Sequence, residues 1–87
     1  MFYVYVLKSE KDAKLYIGFT GNLRKRFAEH NKGLVQSTRP RIPFSLVYYE
    51  AYTTEGDAKE REIALKRFSG SMTHLRKRLR RSLIISK

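Results

Sequence analysis

The 87-residue sequence predicts a small α+β domain: a three-stranded antiparallel β-sheet flanked by about three helices, in the order β-β-α-β-α-α. Three observations carry this prediction. Two strand-like segments near the start are joined by a short polar loop, which makes them an antiparallel hairpin. A third strand-like run, residues 44–52, follows a loop that holds Gly33, Pro40 and Pro43. The stretches between and after the strands space their apolar residues three and four apart, as helices do. The length sets the expectation of one domain over residues 1–87, with one modest core.

Taken in order, residues 2–7 (FYVYVL) are apolar or aromatic throughout and rich in strand formers, the pattern of a strand covered on both faces. Residues 8–14 are polar and form the loop. Leu15, Ile17 and Phe19 then alternate with Tyr16, Gly18 and Thr20 in a second strand. Gly21-Asn22 ends it, and Asn22 is a suitable N-cap for a helix over residues 23–31, on which Leu23, Phe27 and His30 share a face. Residues 44–52 (FSLVYYEAY) make the third strand. Thr53 or Thr54 caps a second helix from about 55 to 68, with Ala58 and Leu65 on its core stripe. Ser69-Gly70-Ser71 interrupts that helix. A last helix, about 72–83, turns Met72, Leu75, Leu79 and Leu83 inward.

Lys and Arg number 19 against 8 Asp and Glu, a formal charge of +11. So strong a field on so small a surface points to a polyanionic partner: nucleic acid first, an anionic membrane second, an acidic protein third. The excess is uneven, with +3 over residues 1–65 and +8 over residues 66–87. The absence of cysteine excludes a disulfide framework, a thiol nucleophile and a thiolate zinc site. It fits a reducing compartment, and a cytoplasmic location is expected. His30 and His74 are too far apart for a His-x-x-x-His zinc helix. No apolar run approaches a membrane span, and the N-terminal run lacks the order of a signal peptide.

Four placements differ from ordinary packing choices. Tyr5 and Tyr16 each put a phenol into an apolar strand, where the hydroxyl needs a partner or a sheet edge. Arg26 and His30, four apart on a short helix, share a side and together suit a phosphate; the plainer reading is an exposed Arg and a half-buried His. Glu62 sits beside the Ala58–Leu65 stripe, where a carboxylate calls for a cation or a metal, or for Lys66 four residues on.

In this order the residues resemble the GIY-YIG nuclease family. Tyr3-Val4-Tyr5 followed by Tyr16-Ile17-Gly18 looks like the paired signature, with Tyr3 and Val4 where the name has Gly and Ile. Asn22-Leu23-x-x-Arg26-x-x-x-His30-Asn31 resembles the helix motif, and Glu62 matches the metal-binding glutamate. The segment from Phe68 through Leu79 is similar to the end of small stand-alone members, themselves similar to the nuclease domain of the excision-repair incision subunit. The resemblance covers about residues 2–83.

What it implies is a metal-dependent DNA endonuclease. Glu62 would hold one divalent ion, Mg²⁺ or Mn²⁺. Arg26 would clamp the non-bridging oxygens. Tyr5 is favoured as the general base and Tyr16 as the group positioning water or phosphate, with the reverse assignment open. His30 would bind the phosphate or assist Tyr5, and Gly18 would permit a close backbone approach. Arg26, the metal and the overall positive field are expected to favour the Tyr5 phenolate. Two departures stand out. Phe19 replaces the lysine that follows Tyr-x-Gly in the repair subunit, and no asparagine follows Asn31, so that contact is absent or made by another group such as His74.

The basic C-terminal segment then has a use. Arg76, Lys77, Arg78, Arg80 and Arg81 would hold DNA phosphates, with Arg39 and Arg41 as secondary candidates. Five such contacts give a log–log salt slope of roughly −4 to −5. They position a duplex without reading it, so specificity is expected to be weak or structure-directed. The expected partner is DNA, branched or damaged forms included, with RNA kept as an alternative, no membrane, and a monomer or weak homodimer. The competing readings are a non-catalytic nucleic-acid-binding module of the same fold and a basic protein–protein adaptor.

Overall fold

A computed structural model describes residues 1–67 and 69–85 of the chain. Three antiparallel strands, β1 (Phe2–Ser9), β2 (Leu15–Thr20) and β3 (Phe44–Tyr52), form a sheet in the order β2-β1-β3. The continuous apolar run of β1 is explained by its central place: Val4, Tyr5, Val6 and Leu7 are all buried, and alternate residues serve opposite faces. Val4 and Val6 pack with Ala58, Leu65, Leu75 and Leu79 on one face. Tyr5 and Leu7 pack with Phe44, Tyr16, Leu23 and Phe27 on the other. Helix α1 (Leu23–Asn31) therefore covers the Tyr5 face. The Val4 face is covered by α2 (Glu55–Arg67) and α3 (Ser69–Arg78), which α4 (Arg80–Ile85) follows.

The caps follow the side chains that favour them. Asn22 accepts the Lys25 amide through Oδ1 at 3.1 Å, and Thr54 accepts the Asp57 amide through Oγ1 at 3.3 Å. At the other end of α1, the Gly33 amide bonds the His30 carbonyl and the Leu34 amide the Glu29 carbonyl, with Gly33 at φ +76°. This double closure needs a left-handed residue at Gly33. Gly33→Ala is accordingly expected to lower stability by about 1–2 kcal/mol, read as a shift in the urea midpoint; an unchanged midpoint would refute the strain argument.

Two boundaries differ from the sequence expectation. β1 runs on through Lys8 and Ser9, because the buried Ser9 hydroxyl takes over the turn: it accepts the Lys11 and Asp12 amides and donates to the Arg41 carbonyl at 2.6 Å. The expected break at Ser69-Gly70-Ser71 is instead the first turn of α3, and the expected single helix over 72–83 is divided at Leu79 into α3 and α4. Open space around Gly70 imposes no packing cost, while Leu75 and Leu79 dock into the core. The Leu79 amide still bonds the Leu75 carbonyl and the Leu83 amide the Leu79 carbonyl, so the leucine stripe continues across the division. Phe68, the expected end of α2, lies outside the described residues. Among the described residues no helix is long and apolar enough to cross a membrane.

Candidate active site

Tyr5, at the centre of β1, is paired in register with Gly18 of β2. Its ring lies directly over that glycine: a Cβ added at Gly18 would stand 2.3 Å from both Cζ and Oη of Tyr5. Close approach is thus the work of Gly18, and what approaches is the phenol of this chain. β2 is an edge strand, so the phenol is carried toward the edge of the sheet. Tyr16, two residues earlier on β2, faces the same side, with its ring 6.4 Å from that of Tyr5.

Helix α1 is short and its Leu23–Phe27–His30 face meets the sheet, as the spacing predicts. That seats His30 completely buried among Tyr5, Tyr16 and Phe44, with ring centroids 5.1–6.0 Å away. His30 Nε2 lies 2.8 Å from Tyr5 Oη, and Nδ1 lies 2.8 Å from the buried Thr38 Oγ1. Thr38 Oγ1 in turn reaches the Val35 carbonyl at 3.4 Å. The direction of this run follows from its last member: a carbonyl only accepts, so Thr38 donates to it and accepts from Nδ1–H. Nε2 is then the bare nitrogen and Tyr5 the donor to it. His30 is thus buried away from solvent and in hydrogen-bond contact with Tyr5.

Taken together, the charges and burial supplied by the chain itself oppose the phenolate. Burial pushes the Tyr5 phenol up to about 12, against the weaker opposing pull of the Arg26 guanidinium beside it; the Tyr16 and Glu62 charges add to the rise. Desolvation therefore wins over the positive field, and the resting state is phenol. Burial also lowers His30 below its ordinary 6.5, reinforced by the Arg26 charge, so at neutral pH the imidazole is uncharged. A lowered folded-state value means that the unfolded chain takes the proton first. Stability is expected to be level in this respect above pH 6.5 and to fall as pH drops from 6.5 through the folded-state value. Urea melts between pH 7.5 and 5 should show this slope and lose it in His30→Gln; an equal slope in both would sink it.

Arg26 is 38% exposed and also bonds Glu29 through Nη1 at 3.2 Å. A shallow groove of about 320 Å³ runs past it, lined by Phe19, Thr20, Asn22, Lys25 and Glu29. Glu62 approaches from α2, on the opposite face of the sheet, and comes within electrostatic range of the Tyr5 phenol at the β2 edge. Its carboxylate is 21% exposed and is paired with Lys66 Nζ at 3.1 Å. Among the described residues, no three His, Asp or Glu side chains gather as a metal cluster.

The basic candidates divide. Arg76, Lys77, Arg78, Arg80 and Arg81 are all exposed, but they lie on α3 and α4, across the sheet from His30. Arg39 is exposed and bonds the Gly33 carbonyl. Arg41 has a structural use: its Nε bonds Asp12 at 2.8 Å and its guanidinium stacks over Phe44, which holds Asp12 down to about 2. His74 is exposed on α3, and Asn31 pins the start of β3, bonding the Phe44 amide and carbonyl at 2.7 and 3.0 Å. Two features escaped the sequence reading. Thr38 sits in an irregular loop eight residues after His30, with no periodicity to mark it. Glu50, on β3, is clamped by Arg61 of α2 and by the Tyr48 and Tyr52 hydroxyls; alternation along β3 puts these three on one face and was the available signal.

The fold thus brings Tyr5 and Gly18, with Arg26 and His30 of α1, side by side, four of the residues that carry the GIY-YIG resemblance. The chain belongs to that family: residues 1–79 match the model of the GIY-YIG catalytic domain. It is 44% identical over 70 residues to a UPF0213 protein of Clostridium perfringens, covering 79% of this chain and 74% of that one. It is 43% identical over 68 residues to a UPF0213 protein of Staphylococcus haemolyticus, covering 77% and 82%. The solution structure of a UPF0213 protein from Bacillus halodurans superposes with a TM-score of 0.51 at 31% identity, over 86% of this chain and 85% of that one. The family is a nuclease superfamily that generally uses divalent metals, and this supports a nuclease-like role on nucleic acid.

Proposed function

We propose that this chain is a divalent-metal-dependent endonuclease that hydrolyses DNA phosphodiesters, with weak or structure-directed specificity. The observation that carries the reading is the buried run Tyr5–His30–Thr38 with Arg26 beside its outer end. A phenol held near 12 is a poor base by itself. Joined to a neutral imidazole, it becomes a relay: Tyr5 Oη takes a proton from water as its own proton passes to His30 Nε2. Thr38 keeps Nδ1 protonated and so keeps Nε2 ready to accept. In the free protein Tyr5 is 1% exposed, and Arg26 lies beside it. Drawing Arg26 onto a phosphate both clamps the non-bridging oxygens and opens the phenol to water.

Glu62 would hold the metal. A single carboxylate, with water completing the shell, suits a strongly hydrated cation such as Mg²⁺ or Mn²⁺, and Lys66 must release the carboxylate for it. When bound, the ion would stabilise charge on the phosphate and on the leaving 3′ oxygen.

The test is nicking of supercoiled plasmid with Mg²⁺ or Mn²⁺. The expected result is EDTA-sensitive nicking, reduced about 100-fold or more in Arg26→Ala and lost in Glu62→Ala. The rate should rise with pH through a single value below 6.5 and stay level to pH 9, because His30 and not a free phenol receives the proton. A rate that climbs toward pH 10 would replace the relay with a phenolate base. Plasmid binding without metal-dependent nicking would establish the rival reading, a nucleic-acid-binding module, which the Glu62–Lys66 pair favours.

A further inference from the structure

On the α1 side of the sheet, the helix leaves part of the surface uncovered. Tyr49 of β3, the register partner of Tyr5, is 53% exposed there. The Tyr3 ring meets it edge-on at 6.1 Å. The neighbouring tyrosines Tyr48 and Tyr52 spend their hydroxyls on Glu50 on the other face; Tyr49 and Tyr3 instead wall a groove of about 670 Å³ together with Leu46, Leu23, Phe27 and Arg24. Asn22 lines both this groove and the smaller one past Lys25 and Arg26, so the two meet around the start of α1.

We propose that this groove seats one unpaired base of a nucleic-acid strand, stacked on Tyr49 with Tyr3 as its side wall. Two features together select this occupant. Exposed aromatic faces give every base a stacking surface irrespective of sequence. Arg24 on the wall, and Lys25 and Arg26 just beyond, supply cations for the phosphates on either side of that base. An intact duplex offers phosphates but no free base face, and an apolar peptide has no use for the cations. The volume accommodates a nucleotide. Neighbouring strands lie about 4.8 Å apart, so the platform stands one strand from the Tyr5 backbone. The inference rests on the nuclease reading only in making the stacked base a neighbour of the scissile phosphate. It names the substrate class as strands with an unpaired nucleotide: single strands, flaps or mismatched sites.

The chain has no tryptophan, so Tyr49→Trp creates a single fluorescent reporter. In EDTA, single-stranded oligothymidylate is expected to quench its emission, while inorganic polyphosphate binds without quenching. Tyr49→Ala should weaken single-strand binding about tenfold and leave polyphosphate binding unchanged; Tyr49→Phe, which keeps the aromatic face, should retain wild-type affinity. Emission unchanged at saturating strand, or equal weakening of both ligands in Tyr49→Ala, would overturn the proposal. Nicking activity without quenching sinks the stacking site alone. Quenching without any nicking sinks the nuclease reading and leaves the stacking site standing.

Discussion

Gly18→Ala is expected to destabilise the protein by about 1–5 kcal/mol, against the usual sign of such a change. In a strand interior, Gly→Ala ordinarily stabilises by roughly 0.5–1 kcal/mol, because the unfolded chain loses freedom. Here the new methyl would stand 2.3 Å from Cζ and Oη of Tyr5. That ring cannot yield cheaply: it is packed beside Tyr16 and His30, and its hydroxyl is bonded to His30 Nε2. Overpacking of a filled core costs about 1–3 kcal/mol, and a buried nitrogen left without its partner costs about another 1–3 kcal/mol. For a domain of this size each kcal/mol lowers the melting temperature by roughly 4–8 °C. A double-mutant cycle isolates the cause. In a Tyr5→Leu background the cost of Gly18→Ala should fall below about 1 kcal/mol, since the ring is gone. An equal cost in both backgrounds would show that the strand backbone, and not the tyrosine, demands glycine.

The same pair shows what the sequence could convey. Strands and helix starts are written locally, in alternation, apolar runs and capping side chains, and they fall where Phe2, Leu15, Asn22, Phe44 and Thr54 place them. Residues 2–7, read as a strand covered on both faces, are the central strand of the sheet. The boundaries that differ are those decided by distant partners. Ser9 joins β1 because a loop carbonyl 32 residues away accepts its hydroxyl. Gly70 lies in α3 because the leucines beyond it dock on Val4 and Val6.

For the candidate site, spacing on one helix was enough to align Leu23, Phe27 and His30 toward the sheet and to set Arg26 beside them. Spacing could not say that Tyr5 would meet His30 and not a phosphate, because that depends on a tertiary distance. Nor could it balance burial against charge. The positive field counted from composition is spread over the whole surface, and much of it sits on α3 and α4. The desolvation felt by Tyr5 is local and larger, and it keeps the proton on the phenol. Thr38 was invisible for a related reason: a loop hydroxyl has no periodic signature, and only the fold brings it to Nδ1.

Tyr5→Phe is expected to remove catalysis while leaving the fold and nucleic-acid affinity nearly intact. Phenylalanine keeps the ring over Gly18 and its packing against Tyr16 and His30, so the core volume is preserved. The missing hydroxyl takes away the oxygen that receives the proton from water, a contribution of about 10²–10⁴ in rate. It also leaves His30 Nε2 buried without a donor, costing about 1–3 kcal/mol, which lowers the melting temperature without unfolding the protein at 25 °C if its stability is in the ordinary range. The decisive comparison is with Thr38→Val, which leaves Tyr5 in place but frees Nδ1 from its acceptor. The imidazole can then hold its proton on either nitrogen, so nicking should fall less than in Tyr5→Phe, and the ¹⁵N shifts of His30 should move from a single tautomer toward a mixture. Thr38→Ser, which restores the hydroxyl, should recover both. If Tyr5→Phe nicks at the wild-type rate with Mg²⁺, the base lies elsewhere, and Tyr16, the other phenol beside His30, takes the role. If Thr38→Val leaves the ¹⁵N shifts unchanged, the tautomer is set by Tyr5 alone, and the run of hydrogen bonds ends at His30.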